Sequence, residues 1–262
     1  MVAAEMNPEA MLPALGVGLL GGSLVGLTGI GAGTVIAALL LVAYPGVVPQ
    51  VIVGSATIQA VAMKLVAVLA RRQYRLRETR LGLSMAVGSA PLAILGAIAS
   101  HRVPAATLKA LLAWVLIGVG ALIIAQAVHR WRRGDPAESE RDPDVARIGA
   151  FGAGVGFIAG LTSIGTGTLF VATLTGPLRI NVHRAVAAAL VAGLVTLLVS
   201  GVTHAALGHS EPVIVLGAIL GSVPGVLFGT ALSHRLHGRG LRAAIGVGIM
   251  IAATITLLRV GK

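Results

Sequence analysis

The chain has 262 residues, of which 56% are hydrophobic and only 11% charged, with a mean hydropathy of +0.94. A soluble domain carries charge on about a quarter of its residues, so this composition excludes a soluble enzyme or binding module and reads as an integral membrane protein. The net charge of +11 would suggest nucleic acid in a soluble chain, but the basic residues stand at the ends of apolar runs, where membrane orientation accounts for them.

The absence of cysteine excludes disulfides, thiolate metal sites and thiol redox chemistry. Glu5 and Glu9 precede the first apolar run and no Lys or Arg does, so the basic opening of a cleaved signal peptide is missing. The first apolar segment is therefore expected to stay in the mature protein. Leu12 to Ala43 is too long for one simple span and too short for two with a turn. Its middle, Gly26-Leu-Thr-Gly-Ile-Gly-Ala-Gly-Thr34, holds glycines that so apolar a segment does not need for packing, and in hydrocarbon each freed backbone N–H must find a partner. The sequence predicts two short helices, or a re-entrant pair, hinged at Thr28 to Gly33.

Tyr44 to Gln50, with Pro45, Gly46 and Pro49, ends that segment. Val51 to Ala70 is a full span containing Ser55, Thr57, Gln59 and Lys64. A basic loop, Arg71 to Arg80, precedes spans at Leu81 to Ala99 and Ala105 to Val128, joined by Ser100 to Pro104. The one strongly hydrophilic stretch, His129 to Arg147, is the predicted linker between an N-terminal unit, residues 1–128, and a C-terminal unit, residues 148–262.

The pattern then restarts. Ile158-Ala-Gly-Leu-Thr-Ser-Ile-Gly-Thr-Gly-Thr168 repeats the earlier break, matching seven of the nine positions from Gly26 to Thr34, and spans follow near Ala185 to Ala206, Pro212 to Leu232 and Leu241 to Leu258. The register continues with Gly88-Ser89-x-Pro91 against Gly221-Ser222-x-Pro224, Gly96 against Gly229, and Ser100-His-Arg102 against Ser233-His-Arg235. The expected fold is all-α, with two homologous halves of four apolar blocks, a common plan of secondary transporters.

Orientation follows from the loops. If each broken segment crosses an even number of times or turns back, the halves are inverted, and one side collects 15 basic residues against 4. A single crossing by each would make the halves parallel, with a split of 12 against 7. The inverted arrangement, with the linker cytoplasmic and both termini external, is the expectation.

In such a transporter the interrupted segments meet near the midplane and offer free N–H groups to an anion. The candidate substrate contacts are Thr28, Gly29, Gly31, Gly33 and Thr34 in the first break and Thr162, Ser163, Gly165, Gly167 and Thr168 in the second. Positive φ is expected at glycines of this kind. Gly18, Gly22 and Gly156 read as packing positions instead. Ser55, Thr57 and Gln59 are candidates to line the pathway, and Pro91 and Pro224 mark possible kinks. Lys64, the one charge well inside a span, either faces the cavity or snorkels toward Arg71. His101 and His234 fall in loops predicted on opposite faces, which leaves no shared metal site. No cofactor is indicated; the implied partners are a small anion, a coupling proton or ion, and the lipid bilayer.

The repeated glycine-rich break, its place at the start of each half, and Val53-Gly-Ser-Ala-Thr57 in the following helix resemble the sulfite exporter TauE/SafE family over nearly the whole chain. The resemblance implies transport of sulfur-containing anions such as sulfite and organosulfonates across the cell inner membrane. With no P-loop, the energy would come from a gradient or a partner's ATPase. A passive anion channel is the alternative. An intramembrane hydrolase would need a nucleophile with its base, or an aspartyl pair, and the spans hold neither.

Overall fold

A computed structural model describes residues 8–28, 32–70, 76–133, 144–233 and 238–258. Ten helices make up the described chain: α1 (Pro8–Thr28), α2 (Ala32–Ala43), α3 (Pro49–Ala70), α4 (Leu76–Arg102), α5 (Ala105–Arg133), α6 (Val145–Thr162), α7 (Thr168–Thr175), α8 (Val182–Ala206), α9 (Pro212–Ser233) and α10 (Gly238–Leu258). Six of them, α3 to α6, α8 and α9, are long and apolar enough to cross a membrane. Large apolar side chains such as Val87, Trp114, Val202, Leu227 and Phe228 stand more than 60% exposed on these helices. That arrangement suits lipid as solvent.

Each predicted broken segment is a helix pair, α1 with α2 and α6 with α7. At 1.5 Å per residue α2 and α7 reach only about 18 and 12 Å, well short of a bilayer core. Both short helices are buried. Ile36 and Leu40 of α2 sit fully covered among Leu108, Leu112 and Leu116 of α5. Phe170 and Leu174 of α7 are likewise covered by Ala185, Ala188 and Ala192 of α8. Pro91 and Pro224 lie inside continuous helices α4 and α9.

The helices extend further than the hydrophilic linker suggests. No breaker precedes Gly134, so α5 runs on to Arg133; α6 begins at Val145, where the Asp144 carboxylate accepts from the Ala146 N–H and caps the helix. Residues 134–143 of the linker lie outside the described residues.

The halves are interwoven. A Cβ on Gly18, Gly22 or Gly26 of α1 would overlap the backbone at Ala218, Ser222 and Val226 of α9 in turn, so the two helices run in the same direction at backbone contact. Gly152, Gly156 and Gly160 of α6 repeat this against Met85, Ser89 and Ala93 of α4. Gly18, Gly22 and Gly156 are thus packing positions, as expected. Gly26 differs from expectation, because it belongs to the same contact row and not to the open break. In the centre Gly193 of α8 lies against Lys64 of α3 while Gly201 lies against Thr57 and Ile58, so these repeat-equivalent helices are antiparallel. In α5 and α10, Gly120 approaches Met250 and Gly246 approaches Ile124, which is also antiparallel.

Candidate functional site

The first break, residues 29–31, lies outside the described residues, and with it Gly29, Gly31 and the side chain of Thr28. The second break is described in full. Helix α6 ends at Thr162 because Ser163 turns left-handed at φ 62°, and Gly165 follows at φ 102°. Only glycine takes such a φ readily. The expected positive φ is therefore at Gly165 and not at Gly167, which precedes α7 at φ −99°, nor at Gly33.

The structure brings the start of α2 against the second break. A Cβ at Gly33 would overlap the Ser163 carbonyl, so the space expected there for substrate is taken by the opposite break. One residue on, the Thr34 hydroxyl accepts from the Gly165 N–H at 3.3 Å. The Thr162 hydroxyl donates to the Ile158 carbonyl at 2.6 Å and accepts from the Ile164 N–H at 3.2 Å, closing the helix end locally. The hydroxyls of Ser163 and Thr168, both buried, have no protein partner. A buried hydroxyl without a partner is costly, and both belong to the break.

Lys64 completes this centre. Its side chain is 3% exposed, and Nζ reaches across to the Thr166 carbonyl at 3.3 Å and the Ala189 carbonyl at 3.5 Å. It turns toward the break and not along α3 toward Arg71. Gly193 makes room, since a Cβ there would overlap Nζ. Among the described residues no carboxylate pairs with this ammonium, and two neutral carbonyls offset a buried charge poorly.

The other sequence candidates lie elsewhere. The Ser55 hydroxyl accepts from the Glu211 N–H at 3.0 Å and holds the α8–α9 connection, while Thr57 donates to the Val53 carbonyl of its own helix. Gln59 Nε2 donates to the Ser222 hydroxyl at 2.6 Å, leaving its Oε1 unpartnered. Ser89 and Thr196 form the corresponding buried pair at 2.6 Å. Thus α9 bonds α3 as α4 bonds α8.

Sequence reading missed Thr166, Gly193, His204 and His209, and weighed His101 only as a metal ligand with His234. A backbone carbonyl leaves no mark in a sequence, and Gly193 looks like any other glycine of an apolar helix. His101 meets His209 at 2.9 Å, His209 meets His204 at 3.3 Å, and His204 Nε2 lies 2.8 Å from the Gly160 carbonyl. His234 lies outside the described residues. No three His, Asp or Glu are arranged to hold a metal ion among the described residues.

The profile of the sulfite exporter TauE/SafE family matches residues 14–256. Among curated proteins, the chain is 29% identical over 249 residues to the probable membrane transporter protein YjnA of Bacillus subtilis (strain 168), covering 90% of this chain and 95% of that one. It is 25% identical over 242 residues to the probable membrane transporter protein YunE of the same organism, covering 84% and 88%. No solved structure matches. With a buried ammonium beside a helix break that the start of α2 meets inside an apolar bundle, and a family profile running nearly end to end, the chain belongs to the sulfite exporter TauE/SafE family of membrane transporters.

Proposed function

We propose that the protein is a secondary transporter that exports a small sulfur-containing anion, sulfite or an organosulfonate, across the cell inner membrane by alternating access between its two halves. One observation carries this reading: Lys64, buried and without a carboxylate, stands at a break whose Ser163 and Thr168 hydroxyls are unpartnered. In a low-dielectric interior such an ammonium gains most from an anion. The hydroxyls and Lys64 are the donors to it, while Gly33, Thr34, Thr162, Gly165 and Gly167 shape the break around it. In this reading Gln59 lines the approach, and Ser55 and Thr57 hold the outer end of α3. The substrate class rests on the family.

The halves, residues 1–128 and 148–262, are inverted in this reading, with the linker cytoplasmic and both termini external. The antiparallel course of α3 against α8 supports it. So do two contacts between connections that the parallel arrangement would place on opposite sides: His101 to His209 at 2.9 Å, and Arg184 to Glu78 at 3.9 Å. Single cysteines at Arg75 and Glu211 should label from opposite sides, Arg75 from the cytoplasm; labelling of both from one side overturns the inversion.

Uptake and efflux in proteoliposomes, across sulfite, sulfate, thiosulfate, taurine and sulfoacetate, test the function. Saturable flux of sulfite or a sulfonate, abolished by Lys64→Met, is expected. Flux that stays linear with concentration identifies a channel, and no flux of any of these anions overturns the reading.

A further inference from the structure

The carbonyl of Gly160 has lost its helical partner. In an unbroken α6 it would accept from the Ile164 N–H, but that N–H turns to the Thr162 hydroxyl, and the next bond back joins the Ser163 N–H to the Ala159 carbonyl. His204 of α8 takes the freed carbonyl through Nε2. A carbonyl only accepts, so Nε2 carries a hydrogen and, in the neutral ring, Nδ1 does not. His204 Nδ1 therefore accepts from His209 Nδ1–H at 3.3 Å. His209 Nε2 is left to accept from His101 Nδ1–H at 2.9 Å. One backbone carbonyl thus fixes the tautomers of three rings in one direction. The row runs from exposed His101, through His209 at 7% exposure, to fully covered His204.

The surroundings leave the row to the histidines. From α3 it faces Gly54 and Ser55, and from α6 the Gly160 backbone, none of them titratable. The charged groups of this face are Arg102 beside His101 in sequence, Glu211 two residues after His209, and Lys109, held on the Pro45 carbonyl. Burial first, and then the charge of His101, hold His209 below the usual imidazole range. The middle ring is therefore neutral at neutral pH, and only a neutral ring both accepts and donates. The far end of the row reaches the break: His204 sits on Gly160 before it and Lys64 on Thr166 within it.

We infer that His101, His209 and His204 form a proton path from the face of the α4–α5 connection to the end of α6, and that the proton delivered to His204 is cotransported with an anion held at the α6–α7 break. The cotransport rests on the proposed anion site; the path itself does not. A proton from water binds His101 Nε2. His101 then passes its Nδ1 hydrogen to His209 Nε2, and His209 passes its own Nδ1 hydrogen to His204 Nδ1. One proton enters and one imidazolium charge ends on His204, at the C-terminal end of α6, where the helix dipole favours a cation. With His204 on Gly160 before the break and Lys64 on Thr166 within it, an anion held there and the proton stabilise one another.

The full-length protein in lipid nanodiscs, carrying ring-labelled histidine, tests the path without any substrate. After a jump from about pH 8 to about pH 4, infrared bands of the imidazolium ring should report His204, assigned by their loss in His204→Gln. In His209→Gln their appearance should slow by roughly tenfold or more. His101→Gln, at the exposed end where folding is least at risk, should slow it too. Rates equal to wild type in both variants overturn the path. In proteoliposomes an inward proton gradient should accelerate uptake of radiolabelled sulfite by the wild type, and His101→Gln should lose the acceleration while keeping sulfite exchange at equal pH. Wild-type uptake indifferent to the gradient overturns the cotransport and spares the path. Absence of any sulfite movement by the wild type overturns the proposed anion site together with the cotransport, and the infrared rates still decide the path.

Discussion

The crossings of α1 over α9 and of α6 over α4 are near copies of each other, whereas the region they flank, between α3 and α8, is not. Gly18, Gly22 and Gly26 meet α9 as Gly152, Gly156 and Gly160 meet α4, four residues apart in each row. In the centre the likeness stops. Lys64 projects from α3, and the repeat register gives α8 Leu198 in its place; His204 projects from α8 over the second break. The difference separates two demands on one duplicated chain. Packing backbone on backbone needs only the absence of side chains, which both halves meet alike. The anion site proposed above needs charge at one place, and Lys64, which has no counterpart in α8, would supply it.

Substitutions at the crossings should act most strongly and equally. Gly22→Val and Gly156→Val each force a branched side chain into backbone and should cost at least ~3 kcal/mol, beyond ordinary overpacking. Loss of the monodisperse peak in detergent chromatography is the expected result for both. Survival of one with collapse of the other would break the likeness of the crossings.

At the centre the expectation is the reverse, with the fold kept and transport lost. Lys64→Met removes a costly buried charge, so the protein should express and purify at normal levels while transport drops to background. Lys64→Arg should restore part of it. Full activity of Lys64→Met would leave the centre as symmetric in function as the crossings are in packing.

Smaller effects sharpen the map of the break. Ser163→Ala and Thr168→Val remove hydroxyls that have no protein partner, so neither should lower the melting temperature, yet each should weaken anion binding by ~1–3 kcal/mol in a competition assay. Thr162→Val should do the opposite. It frees the Ile164 N–H and lowers stability with binding less affected.

The smallest effect concerns pH. His209 titrates lower in the folded protein than in the unfolded chain, so protonation favours unfolding. Stability present above about pH 6.5, the unfolded value, should fall as the solution is acidified below it. His209→Gln should flatten part of that fall in a thermal shift series. An unchanged slope would remove His209 from the account.

The duplicated half was legible because glycine rows and the break recur at a fixed register, and hydropathy alone identifies the spans. The partner of each row was not, since nothing in Gly22 says that Ser222, two hundred residues on, is what it touches. The glycines of the breaks were noticed, but their duties were blurred. Gly26 packs and Gly165 turns, and both read simply as glycine in apolar sequence. The histidine row escaped notice because its members come from two helices and a connection that meet only in the assembled fold. Lys64 was visible at once; what its ammonium touches is main chain, which carries no side-chain signature.

The interweaving also sets an order of assembly. Ser89 and Gly156 are separated by fewer than 70 residues, so α6 can close on α4 soon after leaving the ribosome, whereas Gly18 must wait for Ala218. At about 5–20 residues per second that delay is roughly 10–40 s. Throughout it the glycine face of α1 has no α9 to lie against. Two contacts that are twins in the finished protein are therefore unequal in time: one can form early and locally, while the other waits until most of the chain has been made.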